Sequence, residues 1–247
     1  MSVIYALFLG ILQGLTEFLP VSSSGHLVIV QSFISGFGES EILFDVILHL
    51  GTVFAVLIYF RKRIVSFLKL EYLKVLFLAT LPASFFGLLF NNQIESVFSN
   101  IRLTGLALLV TGILNLSIDR YKTSKMKIGS KNALVIGIAQ AIAIIPGISR
   151  SGSTIFAGVM QGIDRKKAVE FSFILSIPII LGANILEISA NLLVIGGNWS
   201  SYLIGFITAV VAGYISIKFM LEFISRKKFK YFGYYCIALG LLCLMMF

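Results

Sequence analysis

Two short polar stretches interrupt apolar segments, and both carry residue types that bind anions. Residues 20–26 read Pro-Val-Ser-Ser-Ser-Gly-His, and residues 146–154 read Pro-Gly-Ile-Ser-Arg-Ser-Gly-Ser-Thr. Hydroxyl groups and the forked guanidinium of Arg150 are donors suited to phosphate oxygens, and glycine allows close backbone approach. Capping by one serine per stretch explains neither three serines in a row nor an arginine among apolar residues. We therefore predict an anion site whose hydroxyl donors are Ser22, Ser24, Ser149, Ser151 and Thr154.

The remaining ionisable residues cluster near the first stretch. Gln13 and Glu17 are four residues apart, hence on one helical face, and His26 directly follows the serines and glycine. A carboxylate and an imidazole beside serine hydroxyls and an arginine indicate a nucleophile, a base and a charge clamp. Asp45 and His49 form another four-residue pair, which we interpret as an ion pair at a membrane interface rather than as a catalytic pair.

The composition indicates a membrane protein. Of the 247 residues, 58% are hydrophobic and only 13% are charged, compared with about 25% charged residues in soluble domains. The net charge of +9 does not indicate a nucleic-acid-binding face, because the basic residues lie between apolar segments. All Lys and Arg except Arg102 and Arg150 fall within 61–74, 120–131, 165–167 and 218–230. This distribution is typical of cytoplasmic loops.

The charge distribution predicts an all-α polytopic membrane protein. With the four basic clusters inside, six transmembrane helices follow, with both termini outside, at 41–60, 73–90, 103–118, 168–189, 200–218 and 231–247. The interrupted stretches 3–34 and 132–163 then form two re-entrant helical hairpins, the first entering from outside and the second from the cytoplasm. Irregular backbone at membrane depth must be covered by protein or line a cavity, so we expect both breaks to be buried together.

An internal repeat supports this topology. A shift of 127 positions pairs Gln13 with Gln140, Ser22 with Ser149, Ser24 with Ser151 and Gly25 with Gly152. We predict a single membrane domain over 1–247, with repeat one at about 1–120 and repeat two at about 132–247. Each repeat has one hairpin and three spans, so the second copy is inverted, as in many transporters. Both returning helices then direct their N-termini at one buried place, which suits phosphate.

At residues 13–26 and 146–154, the sequence resembles both signatures of the undecaprenyl-diphosphate phosphatase (bacitracin-resistance) family. The resemblance implies hydrolysis of undecaprenyl diphosphate to undecaprenyl phosphate and inorganic phosphate, which recycles the lipid carrier for peptidoglycan synthesis and confers bacitracin resistance. It also implies a divalent metal, Mg²⁺ or Ca²⁺, with Glu17 and Gln13 as ligands. Gln13 departs from the members that have glutamate at this position. The family has either residue there, but the lower number of carboxylates weakens the case for a metal held by both residues.

The resemblance also implies site residues. Glu17, Ser23, His26 and Arg150 are the expected catalytic residues, and the hydroxyl donors named above support them. In one version Ser23 attacks the terminal phosphorus while His26 or Glu17 takes its proton. Attack by His26, or direct attack by water, are the alternatives that the sequence leaves open.

Three other interpretations compete. Type-2 phosphatidic acid phosphatases share Ser-Gly-His and Ser-Arg elements, but they need a histidine where this chain has Phe156. A lipid or anion transporter would use the inverted repeats without needing a nucleophile and base. A structural scaffold would leave Arg150 and Glu17 without a purpose.

The expected partners are a polyprenyl diphosphate and membrane lipid, with a homodimer left open. The expected location is the bacterial plasma membrane, with the site facing the extracytoplasmic side.

Overall fold

A computed structural model describes residues 2–34, 42–90, 93, 100–124, 126–190, 199–224 and 228–247. Within these ranges the regular secondary structure is helical. The eleven helices described are α1 (Val3–Phe18), α2 (Ser23–Gln31), α3 (Ile42–Phe60), α4 (Ile64–Phe67), α5 (Leu70–Leu89), α6 (Ile101–Ile118), α7 (Ser130–Ile142), α8 (Arg150–Met160), α9 (Arg165–Ala190), α10 (Trp199–Phe223) and α11 (Lys230–Met246).

Five helices are long and apolar enough to cross a membrane. They cover Leu43–Phe60, Leu70–Leu89, Ile101–Ile118, Arg165–Ser189 and Trp199–Phe223, and each contains one of the predicted spans or nearly all of it. The sixth predicted span is α11, an apolar helix of 17 residues, which lies at the short end of the lengths that span a bilayer. The predicted class, an all-α polytopic membrane protein, is confirmed.

The two interrupted stretches fold as helical hairpins. In hairpin 1, formed by α1 and α2, Leu27 of α2 packs in one cluster with Ala6 and Leu9 of α1, so α2 returns towards the start of α1. In hairpin 2, formed by α7 and α8, Asn132 Nδ2 donates to Gln161 Oε1 over 3.0 Å. This bond joins the first turn of α7 to the residue after α8, so these helices are also antiparallel.

Hairpin 1 is inserted against α3 and α10, and all three long helices of this group run in the same direction. Helices α1 and α10 approach so closely that a Cβ at Gly10 would lie 2.5 Å from the Gly205 oxygen, and one at Gly14 would lie 2.6 Å from the Gly213 nitrogen. Only glycine fits such backbone contact. Along α3, Gly51 lies against Ala209 and Ala55 against Gly213, so α3 runs parallel to α10.

Hairpin 2 enters from the other end of the bundle. Ala133 and Ile136 of α7 belong to the same core cluster as Phe60 at the end of α3, whereas α1 begins level with the start of α3. Helix α7 packs along α5 as α1 packs along α10, while α3 packs against α9 and α6 against α11. If each helix is replaced by its counterpart in the other half of the chain, the same set of pairings results, as an inverted repeat requires. The repeat boundaries stay a prediction.

The described basic residues of the four clusters lie at one end of the bundle, where α3, α6 and α10 end. We call it the basic end. There Arg63 pairs with Glu170 at 2.9 Å, and Arg165 donates to the Tyr121 oxygen over 2.8 Å. Arg102 lies at the opposite end and donates to the Phe247 oxygen over 2.6 Å. The helix directions relative to the basic residues therefore agree with the predicted topology.

Candidate active site at the meeting point of the two hairpins

The breaks in the two hairpins have the same local structure. We call residues 19–22 the first tip and residues 143–149 the second tip. Ser22 precedes α2, and its Oγ accepts from the Gly25 amide over 3.3 Å. Ser149 precedes α8, and its Oγ accepts from the Gly152 amide over 3.1 Å. Each returning helix therefore begins with a serine N-cap, at positions that the 127-residue shift makes equivalent.

Each tip touches the start of the returning helix of the other hairpin inside the bundle. Ser151 Oγ donates to the Leu19 oxygen over 3.0 Å, and a Cβ at Gly25 would lie 3.1 Å from the Gly147 Cα. The prediction that both breaks are buried together is confirmed. Two helix N-termini thus meet at one place, which is the arrangement that favours an anion.

Glu17 is the centre of this meeting point. Its side chain is only 6% exposed, and it forms an ion pair with Arg150, whose side chain is 14% exposed. Ser23 Oγ donates to Glu17 Oε2 over 2.6 Å, and Gln13 Nε2 donates to the same oxygen over 3.0 Å. Arg150 also donates to the Ser172 oxygen over 3.1 Å. The carboxylate, the hydroxyl and the guanidinium predicted to do chemistry are therefore contiguous.

His26 points away from this cluster. A main-chain oxygen only accepts, so Nδ1 carries the proton and donates to the Ser22 oxygen over 2.7 Å. In the neutral ring Nε2 is then an acceptor, and it receives the Tyr235 hydroxyl over 2.7 Å. The two rings stack, with centroids 5.6 Å apart. Of the two bases that the sequence proposed for Ser23, Glu17 is the one within hydrogen-bonding distance.

The predicted phosphate-binding hydroxyls divide into two groups by burial. Ser149, Ser151 and Thr154 are each 1% exposed and are bonded to protein. Thr154 Oγ1, for example, donates to the Arg150 oxygen over 2.8 Å and lies 2.7 Å from Ser172 Oγ. These three hydroxyls stabilise the start of α8, and Ser22, which is 3% exposed, does the same for α2. Ser24, the fifth, is half-buried, and with half-buried Ser23 and the Arg150 guanidinium it forms the accessible side of the site.

Asp45 and His49 do not contact each other as the predicted ion pair would. The Asp45 carboxylate accepts from Gln31 Nε2 over 2.8 and 3.1 Å, and His49 Nδ1 donates to the main-chain oxygen of Asp45 over 2.8 Å. The two residues are therefore joined through the main chain of Asp45, near the start of α3.

Comparison with known proteins places the chain in a family. The sequence model of the family described as bacitracin resistance protein BacA matches residues 6–242. The chain belongs to this family. An undecaprenyl-diphosphatase of Halothermothrix orenii is 42% identical, covering 100% of this chain and 98% of its own. Those of Carboxydothermus hydrogenoformans and Treponema denticola are 39% and 41% identical, and they cover 100% and 98% of this chain and 98% and 96% of their own.

The sequence did not identify three residues that hold the site of this BacA-family chain. Tyr235 binds His26, as described above. Thr111 and Asn115, one turn apart in α6, bind the second and the first tip through main-chain groups. Threonine and asparagine inside a predicted span were the available signal, because polar side chains at membrane depth usually satisfy a specific partner.

The oxygen atoms around Glu17 indicate which kind of site the expected metal ion could occupy. The described residues contain no group of three or more His, Cys, Asp or Glu side chains that could hold an ion. Gln13 Oε1 is buried and has no hydrogen-bond partner, so one oxygen ligand is available beside the carboxylate. Both oxygens of Glu17 already have donors. This set fits a divalent ion that takes its other ligands from a diphosphate and water, as Mg²⁺ commonly does, and does not fit a cage made of protein alone.

Proposed function

We propose that this chain is an integral membrane phosphatase that hydrolyses undecaprenyl diphosphate to undecaprenyl phosphate and inorganic phosphate. The observation that carries the proposal is the contact of Glu17 with both Ser23 and Arg150 where two helix N-termini meet. Membership of the BacA family and its undecaprenyl-diphosphatase relatives support the choice of substrate. In this role the enzyme recycles the lipid carrier for peptidoglycan synthesis and confers bacitracin resistance.

In the proposed reaction Ser23 Oγ attacks the terminal phosphorus while Glu17 Oε2, 2.6 Å away, accepts its proton. The bond from Oγ to phosphorus forms, the bridging P–O bond breaks, and undecaprenyl phosphate leaves with the bond's electron pair. Water then cleaves the phosphoserine and releases inorganic phosphate. Arg150 and the helix N-termini neutralise the phosphate charge in a water-poor site, where such contacts are strongest.

The proposal includes a divalent ion, Mg²⁺ or Ca²⁺. Gln13 Oε1 and the Glu17 carboxylate are the protein groups that would hold it, with Arg150 moving onto the diphosphate. Such an ion neutralises charge on the two phosphates. Removing divalent ions with a chelator should therefore lower phosphate release, and adding Mg²⁺ or Ca²⁺ back should restore it.

Phosphate release by purified protein in detergent tests the activity. Wild-type protein and an Arg102→Ala control, which removes a cation far from the site, should release phosphate from undecaprenyl diphosphate. Glu17→Ala and Arg150→Ala should not. Lipid binding without release would replace this proposal with a transporter.

Mapping the phosphoenzyme from a labelled substrate tests the nucleophile. Phosphate on Ser23 supports the serine version. Phosphate on His26 would overturn it, and no adduct would indicate direct attack by water.

We also propose that the site opens to the extracytoplasmic side. Half-buried Ser24 lies at the start of α2, and half-buried Gln31 at its end binds Asp45 near the start of α3, so polar residues occur at both ends of α2, which leads from the site away from the basic end. In a background with the buried cysteines replaced by alanine, an impermeant thiol reagent should label Ser2→Cys but not Ser130→Cys in intact cells. The reverse pattern would invert the orientation. A homodimer stays a prediction.

A further inference from the structure

Two polar residues of α6 hold both hairpin tips. Thr111 Oγ1 donates to the Gly147 oxygen over 2.8 Å and accepts from the Ser149 amide over 2.9 Å. Asn115 Nδ2 donates to the Pro20 oxygen over 2.6 Å. Thr111 is 1% exposed and Asn115 is fully buried. One turn of α6 therefore binds two tips that lie 127 residues apart in the sequence.

The hydroxyl of Thr111 binds the two consecutive peptide units between Gly147 and Ser149, which lead directly into Arg150. Gly147 has φ +95°, and a Cβ there would lie 2.4 Å from the Thr104 oxygen, so the second tip rests directly on α6. At membrane depth a main-chain N–H or C=O without a partner is strongly unfavourable. The hydroxyl of Thr111 satisfies one group of each kind and thereby fixes where α8, and with it Arg150, begins.

Asn115 performs the same task for the first tip. The Pro20 oxygen that it binds precedes Ser22 and Ser23 by two and three residues, and Cys236 Sγ lies 3.8 Å from the same oxygen. Helix α6 is itself held against α11 by backbone contact, since a Cβ at Gly112 would lie 3.0 Å from the Gly233 oxygen. Both tips are therefore bound to α6, which forms one rigid pair with α11.

We infer that Thr111 and Asn115 are positioning residues that set the offset between the two tips, and so the placement of Arg150 relative to Glu17 and Ser23. They touch no reacting atom. The inference rests on the proposed phosphatase function, because it assigns these residues a role in that reaction. An error of about 1 Å in such a placement lowers the rate by about 100-fold.

Three substitutions in α6 test the inference through kcat and KM of phosphate release. Thr111→Val keeps the shape and removes the hydroxyl, and we expect kcat to fall about 10- to 100-fold with little change in KM. Thr111→Ser keeps the hydroxyl and should stay within about threefold of wild type. Thr104→Val is the matched control, since Thr104 is fully buried in the same helix and its hydroxyl donates to the oxygen of Asn100, the residue before α6. The Thr104 oxygen that faces Gly147 is a main-chain atom, which this substitution keeps.

A double-mutant cycle separates positioning from a general loss of folding. In an Arg150→Lys background, which keeps a weaker cation at the site, Thr111→Val should lower kcat by much less than in wild type. Equal effects in both backgrounds would overturn the inference, as would a Thr111→Val enzyme that is as active as Thr104→Val. Failure of the wild type to release phosphate would instead overturn the proposed function.

Asn115→Leu provides a second, independent variant should Thr111→Val not fold. It removes the contact with the first tip and leaves the second tip untouched, and the same fall in kcat is expected. A folded Asn115→Leu protein with wild-type kcat would overturn the inference for this residue. Thermal unfolding in detergent, measured for every variant, establishes which proteins are folded.

Discussion

Stability and activity should respond differently when one or both charges of the buried Glu17–Arg150 pair are removed. We predict that Glu17→Gln and Arg150→Met each destabilise the protein, and that the double variant recovers most of the lost stability without recovering activity. The reason is that each single change leaves one charge uncompensated inside an apolar bundle, whereas the double change removes both.

The size of the effect follows from the contacts each charge retains. Breaking a buried pair by removing one partner costs about 3–5 kcal/mol. After Arg150→Met, the carboxylate still accepts from Ser23 and Gln13, so we expect about 3 kcal/mol, at the lower end. After Glu17→Gln, the guanidinium has no anion but keeps the Ser172 oxygen and is 14% exposed, so we expect about 3–5 kcal/mol. The double variant should lose no more than about 2 kcal/mol.

Denaturant unfolding in detergent measures these differences, and phosphate release is followed on the same preparations. Arg102→Met is the matched control, because Arg102 lies at the end of the bundle and binds a main-chain oxygen. A double variant that is as unstable as the sum of the two single variants would refute the reasoning, since the charges would then act independently. A double variant with wild-type activity would refute the catalytic role of the pair.

Three further outcomes follow from the geometry. Ser23→Ala should lower phosphate release by about 100-fold or more while costing only about 1.5–3 kcal/mol of stability through the lost bond to Glu17, and near-normal release would exclude this nucleophile. Tyr235→Phe should destabilise the protein by about 1 kcal/mol, the net worth of one hydrogen bond, as thermal unfolding would measure, while the neighbouring Tyr234→Phe should not; equal effects would exclude the contact with the histidine. Gly147→Ala should unfold the site, because its Cβ would lie 2.4 Å from a main-chain oxygen of α6. Gly162→Ala has a similar positive φ in open space and should cost only about 1–2 kcal/mol, as thermal unfolding would measure; equal costs would contradict the clash.

Much of the fold could be predicted because the membrane restricts the options. Apolar length and the positions of Lys and Arg predicted the spans and their directions relative to the basic end, and the structure agrees. The breaks near Ser22 and Ser149 predicted the hairpins, because helices interrupted at membrane depth must cover their exposed backbone groups. The end of α10 at Phe223, beyond the predicted 218, shows that the boundaries were less well defined, since propensity and apolar length leave several residues free at each end.

The details of the site could not be predicted from residue type. Serine and threonine hydroxyls can bind either a ligand or the backbone, and Ser149, Ser151 and Thr154 bind the protein. His49 and Asp45 could have formed an ion pair by spacing alone, but neighbouring helices offered Gln31 as a partner for the carboxylate. Such choices depend on which groups other helices bring within about 3 Å.

The sequence by itself determined that this is a helical membrane protein with two polar breaks, because residue type, apolar length and spacing are local properties of the chain. The resemblance of those breaks to a known family added the prediction that Glu17, Ser23, His26 and Arg150 form the site. Only the tertiary structure decided that Glu17 contacts Ser23 and Arg150 together, that Tyr235 holds His26 away from Ser23, and that α6 carries both tips. These contacts join segments far apart in the sequence, and their distances exist only once the helices have packed.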